Sequence, residues 1–430
     1  MRFVLPTSYF ELFDMHLELF EVLRCPYCAG RLELVESLFH RRSGDEISDG
    51  ILGCHCCIFP VVDGIPVLHL QPNATAARDQ MQAGRPEQAL RTMVGLESEE
   101  EARAFEAVTA SEASTYRETV EALGPNFEGG YFLYRFSDPT YVVAEAVVRA
   151  VARAVLGGRR RAIDICGGSG HLTRSLLDLS SSPPVLADLY FAKIWLARRF
   201  TAPGCVPVCC DGNAPMPFAR GTFALAMCTD AFMYIWTKRQ LVGEMARLID
   251  DPSAEPGAAL IGHTHNERTW SPSHGQPLSP EGYAALFETL PPRVFAESNL
   301  FADVVAGGPL DLSRHDSKET LDGDPALTVI ATERRDVFVR HQLDADRPVS
   351  GEFRVNPLYE VEANGDRVRL RLQFPSEDYE EEYGACRQYL PDEAVVHRAA
   401  LDTLPGGAVP AVLADLARRR VILDLPKRYY

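Results

Sequence analysis

Two pairs of cysteines near the start of the chain have the spacing of a metal site. The segments CPYC (25–28) and CHCC (54–57) are both CxxC sequences, and 25 residues separate them. A hairpin between the segments can bring both pairs together as a tetrahedral thiolate set, which leaves no open coordination position and predicts a structural Zn2+. His55 and Cys56 are alternatives at the fourth position, where the spacing favours Cys57. The predicted ligands are Cys25, Cys28, Cys54 and Cys57.

A second set of residues could bind a nucleotide. The segment AIDICGGSGH (162–171) has the pattern of an apolar strand, a glycine-rich turn and the start of a helix. Such a turn lets the backbone approach a ligand closely, and the helix offers unpaired N–H groups. Thr173 replaces the third glycine of the dinucleotide-binding pattern, which disfavours a nicotinamide or flavin. Asp188 ends the next strand and could accept both hydroxyls of a ribose, while Asp211 follows the third strand and suits an adenine edge.

Together these residues resemble the class I S-adenosylmethionine-dependent methyltransferases, over about residues 136–336. The resemblance implies a seven-stranded sheet with a reversed last strand, S-adenosylmethionine as the cofactor and methyl transfer as the reaction. The segment APMPF (214–218) resembles the stretch before the family's fourth strand. Two positions depart from the family pattern, because Cys166 stands at the first glycine and Ala224 at an acidic position. The implied cofactor-binding residues are Asp164, Cys166, Gly167, Gly168, Gly170, Asp188, Leu189, Asp211, Gly212, Asn213 and Thr229.

The cysteine-rich segment carries a resemblance of its own. LRCPYCAGRLEL, followed by GILGCHCCIFPVVDGIPVL, is similar to the zinc ribbon of the small activator subunit of tRNA and protein methyltransferases, over about residues 20–70. The spacing after Cys57 is shorter than in that family. The resemblance implies a ribbon that serves as a structural or docking module.

The methyl acceptor should lie over the carboxyl ends of the parallel strands. Asp230 and Tyr234 follow the fourth strand, and His263 and His265 end the fifth. Residues i and i+2 of a strand share a face, so both histidines could point into the pocket, where a neutral imidazole could deprotonate a phenol or hydroxyl. As the alternative, one histidine packs in the core and the other, like Asp230, caps a loop. The candidate catalytic residues are His263, His265, Asp230 and Tyr234.

The order of apolar and amphipathic segments predicts an α/β fold with a Rossmann-like, doubly wound sheet of seven strands. We expect a zinc-ribbon domain at residues 1–70, a helical linker or lid at 71–135, the methyltransferase domain at 136–336 and a small α+β domain at 337–430. In the last domain, the alternation of Phe353, Val355, Tyr359 and Val361 predicts one strand, and Asn364-Gly365 before the next alternating segment indicates a two-residue hairpin. A short helix and a strand should follow near the end. The predicted sheet strands are 162–166, 184–188, 206–210, 223–228, 258–263, 293–298 and 326–331.

Composition narrows the choice of substrate. The 430 residues include 60 acidic and 43 basic side chains, a net charge of −17, which argues against nonspecific nucleic-acid binding. No apolar stretch is long enough to span a membrane, and the N-terminus does not resemble a signal peptide, so we predict a cytoplasmic protein. The segment CTDAFMY (228–234) lacks the Pro-Pro-aromatic motif of enzymes that methylate exocyclic amines of bases.

These observations favour a methyltransferase for a small molecule, with an oxygen or carbon nucleophile of a specialised metabolite as the acceptor. An RNA methyltransferase with a zinc-ribbon docking module is the first alternative, because ribosomal-RNA guanine methyltransferases also join a zinc ribbon to this fold. A non-catalytic adaptor with a vestigial nucleotide fold is the second. The C-terminal region could bind a protein partner or a second copy of the chain.

Overall fold

The computed structural model describes residues 15–124, 131–271, 275–343, 351–404 and 409–430. The first 14 residues, where we predict no signal peptide, and residues 125–130 of the predicted linker lie outside these ranges. Within the described ranges, none of the helices combines the length and the apolar character that crossing a bilayer requires.

The N-terminal region is a small antiparallel sheet. Its longest strand, β4, pairs with four of the other five, and the turn between β4 and β5 carries the second CxxC segment. Ile47, Leu52, Phe59 and Val61 are fully buried in its core. The strands are β1 (Met15–His16), β2 (Glu33–Leu34), β3 (Arg41–Ser43), β4 (Glu46–Gly53), β5 (Ile58–Val62) and β6 (Ile65–Pro66), with helix α1 (Leu19–Val22) between β1 and β2.

Four short helices follow the N-terminal sheet. Proline at the first helical position starts α2 and α3, where its missing N–H has no partner to lose. Capping boxes start α4 at Ser98 and α5 at Thr115, each with a glutamate three residues later. The helices are α2 (Pro72–Gln82), α3 (Pro86–Val94), α4 (Glu99–Thr109) and α5 (Tyr116–Ala122).

The central sheet has seven strands, in the order β12-β14-β11-β10-β7-β8-β9. β14 runs antiparallel to both neighbours, and the other pairings are parallel. The ends of each predicted strand lie within two residues of the ends of an observed one. The prediction succeeds because mainly apolar segments of this length are typical of strands covered on both faces. The strands are β7 (Arg161–Ile165), β8 (Val185–Asp188), β9 (Val206–Cys209), β10 (Phe223–Thr229), β11 (Ala258–His265), β12 (Pro292–Ala296) and β14 (Ala326–Ala331); β13 (Leu310–Asp311) lies outside the sheet.

Helices cover both faces of this sheet. Ala162 of β7 belongs to one buried cluster with α6 and α8, and its neighbour Ile163 belongs to the other with α9, because successive side chains of a strand point to opposite faces. A short 3-10 segment at Tyr131–Ser137 leads into α6. The helices are α6 (Pro139–Val155), α7 (His171–Leu177), α8 (Phe191–Leu196), α9 (Lys238–Ile249), α10 (Pro280–Ala284), α11 (Glu297–Val305) and α12 (Lys318–Gly323).

The C-terminal region contains the predicted hairpin. Asn364 pairs with Arg367, and Gly365 has the positive φ of 65° that such a turn favours. The prediction of one strand across residues 353–361 is wrong, because Pro357 has no N–H and the buried Asn356 turns the chain. The elements are β15 (Arg340–His341), β16 (Glu352–Val355), β17 (Tyr359–Asn364), β18 (Arg367–Leu372), α13 (Glu377–Tyr383), β19 (Glu393–His397), α14 (Arg398–Leu401), α15 (Ala414–Arg418) and β20 (Ile422–Leu425).

Backbone hydrogen bonds join the N-terminal region to the central sheet and the last residues to the linker helices. Val67, just after β6, forms a parallel bridge with Cys209 of the edge strand β9, and the Leu68 N–H donates to the Cys209 carbonyl at 2.7 Å. At the other end of the chain, the Tyr116 N–H of α5 donates to the carbonyl of Arg428. The chain end is therefore packed between the linker helices and the sheet domain.

Candidate functional site

The carboxyl ends of β7 and β8 meet at the glycine-rich turn. Gly168 and Gly170 have φ of 55° and 74°, a left-handed conformation that strains other residues. A Cβ on Gly167 would lie 2.5 Å from the Leu186 side chain and 2.6 Å from the Asp164 carboxyl group. The turn is therefore built for glycine, and Gly170 caps α7 directly.

Asp164 packs against the turn from the interior of the sheet domain. It is 1% exposed, and its Oδ2 accepts a hydrogen bond from the Thr173 hydroxyl at 2.6 Å. Burial raises the pKa of Asp164 to about 7, against the effect of that hydrogen bond. Its contacts make Asp164 an internal support of the predicted cofactor site.

Asp188 joins the turn to the end of β8. Its Oδ2 accepts from the Gly168 N–H at 2.9 Å, and its Oδ1 accepts from the Tyr190 N–H at 2.8 Å. The Leu189 N–H is a third donor to this carboxylate, and since a carboxylate has about four acceptor positions, one is left for a ligand such as a ribose hydroxyl. Burial raises the pKa of Asp188, while the N–H groups of Tyr190, Gly168 and Leu189 and the charge of Lys193 oppose that rise.

The loop after β9 forms the next part of the same edge. Asp211 Oδ1 accepts from the Asn213 N–H at 2.8 Å, and a Cβ on Gly212 would lie 3.1 Å from Cys166 Sγ. Asn213, predicted to bind cofactor, uses its Oδ1 to accept from the Trp236 N–H at 2.7 Å, so its side chain joins the loops after β9 and β10. Leu189 is half-buried, and its carbonyl accepts from the Cys209 thiol.

Cys166 has a backbone conformation that glycine adopts more readily than cysteine does. Its φ is 58°, in the left-handed region. Hydrogen bonding to Cys228, followed by burial, holds the pKa of its thiol well above the usual value, so the group is a neutral thiol. At the end of β10, Thr229 Oγ1 is buried and has no hydrogen-bond partner within the described ranges. It is a polar group that a ligand at this edge could satisfy.

A buried charge cluster lies beside this edge. Asp230 has φ of 57°, and its carboxylate lies 2.7 Å from Arg135 Nη2 and 3.9 Å from His263 Nε2. On the far side, His263 Nδ1 lies 2.7 Å from Glu297 Oε2, and the His263 N–H donates to Glu297 Oε1 at 2.8 Å. Burial alone would lower the pKa of His263, but Glu297 and Asp230 outweigh it and raise the pKa to about 9. His263 is therefore a cation at neutral pH.

His265 lies next to this cation but differs from it in charge. The two rings are 5.6 Å apart at 88°, and His265 Nδ1 lies 2.9 Å from Ser271 Oγ. Burial, followed by the charge of His263, lowers the pKa of His265, so its ring is neutral at pH 7. The structure thus brings Asp230, His263 and His265 together, whereas the ring of Tyr234 is 53% exposed at the surface.

Sequence reasoning missed Glu297 completely. It is 34 residues from its partner His263 and starts α11, where an acid ordinarily serves the helix dipole. The C-terminal region adds a second unforeseen contact. Asp138 is fully buried near Arg135 and accepts a hydrogen bond from the Tyr379 hydroxyl, and burial raises its pKa to about 7. The C-terminal region therefore packs beside the charge cluster.

The cysteine cluster differs from its prediction at one position. The Sγ atoms of Cys25, Cys28, Cys54 and Cys56 all lie within 4.8 Å of one another, and Cys57 is not in the group. The Cys25–Cys56, Cys28–Cys54 and Cys54–Cys56 sulfur distances are 3.6, 3.7 and 3.7 Å. Zn–S bonds of about 2.3 Å in a tetrahedron separate the sulfurs by roughly 3.8 Å, so the set fits zinc.

The geometry of the turn explains why Cys56 replaces Cys57. The Cys57 carbonyl accepts the Cys54 N–H at 3.0 Å, which closes the turn just before β5 begins at Ile58. Cys56, at the tip of the turn, then presents its sulfur to the other three. Spacing favoured Cys57 because it completes a CxxC pair with Cys54. Spacing does not show which side chain of the turn points toward the other cysteines.

Comparisons with known proteins give structural similarities only. Neither a protein-family model nor a curated protein sequence matches this chain. A protein of Bacillus halodurans assigned as a methyltransferase is 16% identical, with a TM-score of 0.29, over 43% of this chain and 96% of its own. A chain from the complex of the Haloferax volcanii Trm112 methyltransferase activator with a methyltransferase is 17% identical, with a TM-score of 0.35, over 45% and 89%.

A third similar structure is geranyl diphosphate C-methyltransferase from Streptomyces coelicolor, solved with S-adenosyl-L-homocysteine. It is 16% identical, with a TM-score of 0.31, over 42% of this chain and 72% of its own. Each of these three similarities covers less than half of this chain.

Proposed function

We propose that the chain is an S-adenosylmethionine-dependent methyltransferase that acts on an oxygen or carbon nucleophile of a small molecule. The observation that carries the proposal is the bond between the Gly168 N–H and Asp188 Oδ2 at the carboxyl edge of the sheet. It joins a turn with glycine at its tightest positions to a carboxylate that can accept a further hydrogen bond from a ribose hydroxyl.

The residues of this edge fit the cofactor in chemistry. Asp188 would accept from a ribose hydroxyl, Asp211 would accept from the adenine amino group, and the turn at 166–170 would let the backbone approach the ligand. When bound, S-adenosylmethionine would supply a methyl group on a sulfonium, which is already a good leaving group. Most of the protein's contribution would then be positioning of the acceptor.

The charge cluster supports an acceptor that must lose a proton. His265 is neutral at pH 7 and could take the proton of a hydroxyl or of an acidic carbon. His263 is already protonated, so it would act as a fixed charge that keeps its neighbour neutral. Arg135 and Asp230 would orient the acceptor through their polar atoms.

The four-cysteine group supports a structural zinc. All four ligands would be thiolates, so no position would be open for catalysis. The ribbon that carries them joins the edge strand β9 at Cys209, two residues before Asp211. We propose that zinc stabilises the ribbon and, through this bridge, the adenine side of the site.

Calorimetry with S-adenosylmethionine and S-adenosylhomocysteine tests the proposal. We expect the wild-type chain to bind both and Asp188→Ala to lose binding. Asp366→Ala, a substitution of an acid with an 86% exposed side chain in the C-terminal hairpin, is the control and should bind normally. A folded wild-type chain that binds neither compound would exclude the enzyme.

The two alternatives differ from the proposal in what they bind. An RNA methyltransferase would retain RNA with a steep salt dependence, which a chain of net charge −17 disfavours. An adaptor would capture protein partners and transfer no labelled methyl group. Incubation of native cell extract with the purified chain and methyl-labelled cofactor separates the three, because the labelled product is a metabolite, an RNA or absent.

A further inference from the structure

The side chain of Tyr429 is buried between three distant parts of the chain. It is 0% exposed, and its ring stacks on Tyr116 of α5 with centroids 4.7 Å apart and planes 5° apart. Its hydroxyl lies 2.6 Å from the carbonyl oxygen of Phe132 and 2.7 Å from His171 Nε2.

The direction of these hydrogen bonds follows from their chemistry. A carbonyl oxygen only accepts, so the single hydroxyl proton of Tyr429 is donated to Phe132. His171 must therefore donate from Nε2 to the Tyr429 oxygen. Burial lowers the pKa of His171 well below its usual value, against the effect of a hydrogen bond with the Phe132 backbone, so the neutral ring has one N–H that faces both Tyr429 and Phe132.

The two partners of Tyr429 both adjoin the glycine-rich turn. His171 follows Gly170 directly and is the first residue of α7. Phe132 belongs to the 3-10 segment at 131–137, and its ring lies 3.7 Å from the place of a Cβ on Gly168. The Phe132 and His171 rings are stacked at 5.8 Å. The Tyr429 hydroxyl therefore joins the 3-10 segment to the start of α7, together with the hydrogen bond of His171 to the Phe132 backbone and the bond from the Tyr430 hydroxyl to the Leu133 carbonyl.

Phe132 also leads to the predicted ribose acid. The Lys193 ammonium lies 5.2 Å over the Phe132 ring and 4.6 Å over the ring of Tyr190. The charge of Lys193 acts on Asp188 and opposes the rise of its pKa that burial causes. A shift of Phe132 would thus move a wall of the turn and a cation beside Asp188 together.

We propose that Tyr429 is a positioning residue that sets the affinity for S-adenosylmethionine by holding Phe132 on the glycine-rich turn. The inference rests on the proposed function, because it presumes that this turn binds that cofactor. Loss of the hydroxyl removes the 2.6 Å bond to the Phe132 carbonyl and the acceptor of His171 Nε2–H, while the hydrogen bond of His171 with the Phe132 backbone remains, so the hold on the segment is weakened. The 3-10 segment then moves off the turn in part of the molecules. The apparent Kd for the cofactor rises, because only the fraction with the segment in place binds it.

Tyr389 supplies a matched control on the same segment. Its hydroxyl donates to the carbonyl of Ser137 at 2.5 Å, so Tyr389→Phe also removes one tyrosine-to-backbone bond from residues 131–137. Ser137 is at the far end of the segment, next to α6. If both hydroxyls only stabilise the fold, Tyr429→Phe and Tyr389→Phe should change the Kd of the cofactor to the same extent.

The experiment compares Tyr429→Phe with Tyr389→Phe by calorimetry with S-adenosylhomocysteine and by thermal unfolding. We expect Tyr429→Phe to raise Kd by about tenfold, while Tyr389→Phe leaves Kd unchanged although its melting temperature also falls. Phe132→Leu, which keeps the carbonyl but removes the stacked ring, should raise Kd as Tyr429→Phe does and serves if that variant fails to fold.

Equal Kd values for wild type and Tyr429→Phe would overturn the inference, as would equal losses in the two tyrosine variants. If Tyr429→Phe does not fold, an unchanged Kd in Phe132→Leu overturns it. These results leave the proposed function intact. Absence of binding to the wild-type chain is the separate result that overturns the proposed function, and the inference falls with it.

Discussion

The imidazole of His263 and the carboxylate of Glu297 form a buried ion pair, with Nδ1 2.7 Å from Oε2. Their side chains are 13% and 8% exposed. The pKa of His263 is raised to about 9, and that of Glu297 is lowered because His263 and the hydrogen bonds outweigh burial. The two shifts agree in sign, so the pair is charged between the ordinary pKa of a glutamate and about pH 9.

This pair predicts a pH-dependent stability. The folded pKa of His263 is above its ordinary 6.5, so its contribution is fully present below pH 6.5 and is lost as the pH rises through about 9. The difference in unfolding free energy between wild type and His263→Gln should therefore be largest at pH 6 and smaller by about 2 kcal/mol at pH 10. Urea unfolding at these pH values measures it. His397→Gln, at a 61% exposed surface histidine, should show little such change, and a parallel trend in both variants would contradict the prediction.

The lowered pKa of His265 predicts the pH below which activity falls, the acid limb of the pH profile. A general base works when deprotonated, and the pKa of His265 is lowered below 6.5, so activity should fall only as the pH falls below that value. His265→Gln should lower kcat by about 10²-fold or more and remove this limb, while the Kd of S-adenosylhomocysteine stays the same. Ser271→Ala keeps the ring and should lower kcat less. A retained acid limb in His265→Gln would exclude His265 as the base.

The fourth metal ligand can be tested with two adjacent serines. Cys56→Ser removes a sulfur of the four-atom group, whereas Cys57→Ser removes one outside it. After zinc loading and dialysis, we expect Cys57→Ser to keep its metal and Cys56→Ser to lose it and to unfold at a lower temperature. Elemental analysis measures the stoichiometry. Metal loss in Cys57→Ser alone would restore the ligand that the spacing favours.

The left-handed backbone at Cys166 predicts that glycine stabilises the fold more than alanine does at this position. Its φ of 58° costs a side-chain-bearing residue about 1 kcal/mol that glycine does not pay. Cys166→Gly should therefore be more stable than Cys166→Ala by about 1 kcal/mol, although both lose the thiol. The control is Ala162→Gly in the extended strand β7, where glycine should be the less stable residue. The same order at both positions, measured by urea unfolding, would show that the left-handed backbone is not the cause.

Most of the fold could be predicted from the sequence because its signals are local. The seven sheet strands are short, mainly apolar segments, the first helices of the linker begin with proline, and Asn364-Gly365 is a sequence typical of a two-residue hairpin turn. The glycine-rich turn was predictable for the same reason, since the φ values of Gly168 and Gly170 exclude most other residues.

The tertiary structure decided which side chains meet and what charge they carry. Spacing could not distinguish Cys56 from Cys57, because the turn that aims them closes through a backbone bond to Cys54. The strand ends predicted both His263 and His265, but Glu297, 34 residues from His263, and Asp230 make His263 a cation, whereas burial and the charge of His263 keep His265 neutral. Residues far apart in sequence are brought together by packing, and their pKa values follow from that packing rather than from any local pattern.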